Sequence, residues 1–159
     1  MLTSLARVAG GVLLLSCCAI PAYAQAPARH PMTLDDVFAI KDLEDPQISP
    51  DGAWVAYTVS SSDVKTDKSD SDVWMVSWDG SRTVRLTNSK ASESMPRWSP
   101  DGRYLTFLSG RDDDKEHAQV WLLNRLGGDA ARLTDVKADV EDYDWSPDGK
   151  MVVYARMDG

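Results

Sequence analysis

Along residues 46–159, short apolar and β-branched runs alternate with clusters of Pro, Asp, Gly and Ser. That punctuation predicts strands joined by tight turns. The stretch 95–134 shows it best. Met95–Trp98 leads into a turn, and Arg103–Ser109 follows with Tyr104, Leu105, Phe107 and Leu108. A polar loop, Gly110–Ala118, precedes Gln119–Leu123, then Gly127-Gly128 and a last short strand at Arg132-Leu133-Thr134. The stretch 46–87 repeats this order as Trp54–Ser60, Val73–Trp78, a turn at Asp79-Gly80, and Arg85-Leu86-Thr87. A third stretch, 142–159, gives Tyr143-Asp144-Trp145, a turn and Met151–Arg156.

The first turn of each stretch is the same tetrapeptide: Ser49-Pro50-Asp51-Gly52, Ser99-Pro100-Asp101-Gly102 and Ser146-Pro147-Asp148-Gly149. The copies start 50 and then 47 residues apart. A period of that size marks a repeat architecture. Four short antiparallel strands per period make one blade of a β-propeller. The expected fold is therefore all-β: blade one at 46–87, blade two at 95–134 and an incomplete blade three at 142–159. Proline presets φ at the second turn position, and Gly accepts the positive φ at the fourth. Trp98 and Trp145 end the first strands of their blades, where blade one has Ile48. A feature repeated in successive blades is expected to be inter-blade packing, with an aromatic ligand platform as the alternative.

Ahead of the blades, 25–45 is expected to hold a Pro/Ala-rich linker, Gln25–Pro31, and a short helix. Thr33 is its N-cap, Asp36 lies three residues on, and Leu34, Val37 and Phe38 share one face. The helix is expected to be short and to end by about Leu43. Residues 1–24 carry Arg7, an apolar run from Val8 to Ile20, and a small-x-small site at Ala22-Tyr23-Ala24. That is the pattern of a secretory signal peptide cleaved before Gln25. A lipoprotein anchor at Cys17 is the alternative.

Cys17 and Cys18 are the only cysteines, and both leave with the signal. The exported chain is then free of disulfides in a compartment that permits them, which excludes thiolate catalysis and thiolate zinc sites. It carries 16 bases against 25 acids, net −9, a field that disfavours nucleic acid and anionic membrane surfaces.

No catalytic, cofactor-binding or metal site is assigned. The serines of the repeated turn recur once per blade, whereas a nucleophile is singular and sits beside a base. The chain holds no Gly-x-Ser-x-Gly elbow, His-Glu-x-x-His motif, phosphate loop or dinucleotide fingerprint. His30 and His117 are expected in a solvated linker and loop. Asp112-Asp113-Asp114 with Glu116 lacks the alternating spacing of a calcium loop. The charge is unevenly placed, however. The four connections Ser60–Asp72, Ser109–Ala118, Asn88–Ser94 and Asp135–Asp142 open on one face and hold 13 acids against 6 bases, net −7. That face is expected to be either plain solvated loop or a surface for basic partners.

The segment Met32–Gly52, MTLDDVFAIKDLEDPQISPDG, resembles the start of the prolyl oligopeptidase family of serine peptidases, in its acylaminoacyl-peptidase-like branch. The later Trp-Ser-Pro-Asp-Gly units resemble TolB-type propeller repeats. The resemblance implies a secreted peptidase in which a propeller restricts short peptides' access to an α/β-hydrolase domain. The catalytic Ser, Asp and His of that family lie in the hydrolase domain, and no position here matches them. The implied partners are further blades, the hydrolase domain and a peptide substrate, with no cofactor. The alternative is a peptide- or protein-binding module of a periplasmic TolB-like protein. Two and a half blades leave strand edges exposed, so the chain is expected to be an N-terminal fragment that is poorly soluble or oligomeric alone.

Overall fold

The computed structural model describes residues 31–63, 68–112 and 117–156. A one-turn helix, α1 (Leu34–Phe38), precedes three antiparallel sheets. The first contains β1 (Asp42–Ile48), β2 (Trp54–Asp63), β3 (Lys68–Ser77) and β4 (Thr83–Arg85), hydrogen-bonded in chain order. The second repeats it with β5 (Glu93–Trp98), β6 (Tyr104–Ser109), β7 (Gln119–Asn124) and β8 (Ala131–Arg132). The third pairs β9 (Val140–Trp145) with β10 (Val152–Arg156). These are two four-stranded propeller blades and a two-stranded part of another, and the sheets do not close.

Several boundaries differ from the sequence expectation. The helix is short and ends at Phe38, and Leu43 already pairs with Val59 in the first sheet. Blade one thus begins at Asp42, four residues before the expected 46. Pro46 conceals this strand from its sequence. It sits at a bulge between Glu44 and Gln47, beside Asp45 at φ 49°, one of the few places a strand accepts proline. Blade two has the same device at Met95-Pro96, with Met95 at φ 54°, so it starts at Glu93 rather than 95. The connection expected as a loop over Ser60–Asp72 is largely sheet. The ladder continues through Ser61↔Asp70, Ser62↔Ser69 and Asp63↔Lys68. Its polar residues carry no alternation in hydropathy, which is why the sequence hides it. The fourth strands lie at Thr83–Arg85 and Ala131–Arg132, just before or at the start of the expected Arg-Leu-Thr triplets.

Those triplets end the blades. Val73 N donates to Thr87 Oγ1 at 2.8 Å, and Val120 N donates to Thr134 Oγ1 at 2.9 Å. Each threonine thus closes the last strand against the third.

The core lies between blades. One cluster joins Ala56, Val73 and Met75 of the first sheet to Trp98, Leu105 and Phe107 of the second. Another joins Leu108 and Val120 to Val140 and Tyr143 of the third. Trp98 is 9% exposed and its Nε1 donates to the Gln47 carbonyl at 3.0 Å. Trp145 also bonds the preceding blade, donating to the side-chain hydroxyl of Thr106 at 3.0 Å. The indoles are inter-blade knobs.

Candidate functional site

The repeated turn is a closed hydrogen-bond unit. Ser49 Oγ donates to Asp51 Oδ1 at 2.6 Å and accepts Trp54 N at 2.9 Å, while Ala53 N donates to the same carboxylate. Ser99–Asp101 and Ser146–Asp148 repeat it, both at 2.7 Å. These three hydroxyls are committed to their turns. A further copy escaped the sequence reading because Trp stands in the proline position. Ser77-Trp78-Asp79-Gly80 places Ser77 Oγ on Asp79 Oδ1 at 2.7 Å, with Gly80 at φ 72°. The hydroxyl and backbone donors hold these carboxylates low: Asp79 and Asp101 lie at about 2.

Successive turns also touch. A Cβ on Gly102 would meet Pro50 Cδ at 3.5 Å, and one on Gly149 would meet Pro100 Cδ at 3.5 Å. Arg125 ties the first blade to the second through Asp51 at 2.7 Å and lies over both Trp54 and Trp98. This face is therefore architecture.

The opposite face, where the longer connections gather, is different. Between blades one and two it opens into a basin of about 730 Å³, lined by Lys68, Ser69, the segment 89–92, Ser94, Leu108–Asp112 and Ala118. Close to it lies Glu93, which is fully buried at the start of β5. Arg111 Nη2 sits 2.6 Å from Glu93 Oε1, and the hydroxyls of Ser89 and Ser109 reach the same oxygen. Arg111 also stacks over Phe107 at 5.0 Å and Trp121 at 5.3 Å. Ser71 Oγ donates to the Glu93 carbonyl at 3.0 Å. The Glu93 carboxylate thus fixes the strand-linking segments around 89 and 109–111, while its backbone carbonyl ties β5 to β3. Breaking such a buried pair by removing one partner costs about 3–5 kcal/mol.

This corrects the expected charge of the loop face. Asp72 and Glu93 were counted among its acids, yet both are buried and matched by Arg85 at 2.6 Å and by Arg111. Asp70 Oδ1, Asp72 Oδ1 and Glu93 Oε2 have no hydrogen-bond partner among the described residues. Burial, then the charges of Asp72 and Glu93, push the pKa of Asp70 up.

Comparison between blades separates architecture from site. Asp72 and Gln119 occupy one position at a shift of 47. Gln119 is fully buried and bonds Val136, Ala138 and Thr134, anchoring the crossover to β9. Glu93 has no polar counterpart: the position 47 residues on is Val140. Ser89, Ser92 and Ser94 correspond likewise to Val136, Asp139 and Glu141. The serine-lined wedge is particular to blades one and two.

His117 is half-buried. His30, Cys17, Cys18 and the whole of 1–24 fall outside the described residues, as does 113–116 of the acidic run. Among the described residues no group of three or more His, Cys, Asp or Glu has metal-holding geometry.

The profile of the TolB beta propeller domain matches residues 40–159. The uncharacterized peptidase YuxL of Bacillus subtilis is 38% identical over 51% of the chain. Dipeptidyl-peptidase 5 of Porphyromonas gingivalis is 39% identical over 39% of it. The chain spans only 12% and 9% of the lengths of those two relatives. The acylaminoacyl peptidase of Pyrococcus horikoshii superposes on 74% of the chain with a TM-score of 0.61 at 20% identity, and the matched part is 17% of that structure.

Proposed function

Because the chain belongs to the TolB beta propeller domain family, we propose that it is the non-catalytic propeller part of an exported serine peptidase acting on short peptides. Its role in that enzyme is to limit which substrates reach a hydrolase domain that this chain does not supply. One observation carries the reading: the relatives that match these blades are peptidases, and the blades are a small share of each. The chemistry of the described residues is consistent with a supporting role. The repeated serines are held by turn carboxylates and backbone amides, once in every blade.

The chain alone is expected to leave aminoacyl and peptidyl p-nitroanilides intact. Reading the gene onward past codon 159 is the decisive test. A Gly-x-Ser-x-Gly-Gly elbow followed by Asp and His is expected, and the whole product should cleave short peptides while sparing folded proteins. A frame without that elbow refutes the peptidase reading. The family match would then favour a peptide- or protein-binding module.

Export belongs to the same proposal and rests on the 1–24 pattern. N-terminal sequencing should find Gln25 first in the exported fraction. A chain retaining Met1 in the cytoplasm would contradict it.

A further inference from the structure

We propose that the basin between blades one and two binds the C-terminal carboxylate end of a short peptide. The peptide identity of the ligand rests on the peptidase reading above; the basin's preference for a carboxylate rests on its own lining.

Four of its polar groups are unspent. Lys68 and Lys90 have no ion-pair partner among the described residues, and the Ser92 and Ser94 hydroxyls have no hydrogen-bond partner there. Arg111, by contrast, is committed to Glu93 and to the rings beneath it. Both lysines and both hydroxyls line the one basin, which is therefore rich in donors. A carboxylate there would take charge-assisted hydrogen bonds, and the hydroxyls would serve the backbone amides next to it, since a serine both donates and accepts. Leu108, Ala91 and Ala118 provide apolar wall for a side chain. The volume of about 730 Å³ lies in the range of small-ligand sites.

The apolar wall decides between a peptide carboxylate and phosphate. Asp112 lies on the rim, and Asp70, Asp72 and Glu93 lie close by, so charge by itself favours neither anion. Leu108, Ala91 and Ala118 offer a peptide contacts that inorganic phosphate cannot use. The buried Glu93–Arg111 pair matters here as scaffold. It holds the segments around Ser89 and Ser109 in place before any ligand arrives, which lowers the ordering cost of binding.

The test is calorimetric titration of the full chain with N-acetyl-trialanine as the free acid, as its C-terminal amide, and with inorganic phosphate. The free acid is expected to bind, the amide to bind at least tenfold more weakly, and phosphate to bind more weakly than the acid. K68Q and K90Q should each weaken the acid about tenfold, the loss expected for one charge-assisted bond. K137Q, 47 residues beyond Lys90 in the next wedge, should leave the affinity unchanged. Equal binding of acid and amide, tighter binding of phosphate, or a K137Q loss equal to that of K90Q would overturn the assignment. These titrations do not involve hydrolysis. A failure here leaves the peptidase reading standing, and the loss of that reading leaves a measured carboxylate affinity intact.

Discussion

Trp98 gives the sharpest test of the inter-blade core. Its indole is 9% exposed, packs in one cluster with Ala56, Val73 and Met75 of the preceding blade, and donates to the Gln47 carbonyl at 3.0 Å. Truncating a buried Trp to Ala costs about 3–5 kcal/mol from lost transfer free energy and the remaining cavity. Trp98→Phe keeps most of the apolar volume and removes the N–H donor, so its cost should be nearer 1–2 kcal/mol. Trp145 also bonds the preceding blade, through Thr106 Oγ1, but is less buried than Trp98. Trp145→Ala should therefore cost somewhat less than Trp98→Ala, since the term scales with the area removed from water. Urea unfolding followed by far-ultraviolet circular dichroism gives all three values. A larger loss for Trp145→Ala than for Trp98→Ala, or a Trp98→Ala loss below about 1 kcal/mol, would show that blade contact does not dominate the stability.

Other perturbations probe the turns and the buried charges. Gly102→Ala and Gly80→Ala should each cost about 1 kcal/mol or more. The φ angles are 67° and 72°, and the Cβ contact at 102 is ordinary. A much larger loss at 102 would mean the Pro50 contact is tighter than it stands. Asp79 and Asp101 are held near 2, below the ordinary value of 3.8. Their contribution is present above about pH 4 and is lost as the pH falls toward 2, so the Asp79→Asn, Asp101→Asn pair should flatten the acid limb of a stability–pH curve. An unchanged limb would place the acid sensitivity elsewhere. Asp70 is shifted the other way, raised by burial and by its neighbours. Its charge opposes folding at neutral pH, and stability gains as the pH falls through the raised value. Asp70→Asn should raise the melting temperature at pH 7 and have less effect at pH 4; a lower melting temperature at pH 7 would contradict this.

What the sequence settled is what repeats. The Ser-Pro-Asp-Gly turns and the Arg-Leu-Thr triplets return because each does one local job: closing a hairpin, ending a blade. Thr87 and Thr134 were legible for that reason before their bonds to Val73 and Val120 were seen. The bulged starts at Asp45-Pro46 and Met95-Pro96 were hidden, because proline signals a break unless a bulge receives it. The polar end of the β2–β3 ladder was hidden because strand prediction rests on hydropathy.

Tertiary structure decided everything that depends on which blade has a neighbour. β6 and β10 look alike as sequences, Tyr-Leu-Thr-Phe-Leu-Ser against Val-Val-Tyr-Ala-Arg. Yet β6 is buried on nearly every residue between two sheets, while Val153 and Tyr154 of β10 face outward. The charge of the loop face changed for the same reason. Glu93 and Asp72 count as surface acids in a composition, but packing one blade on the next removes them from water and forces a match with Arg111 and Arg85. A charge is a property of a residue; its exposure belongs to the assembly around it.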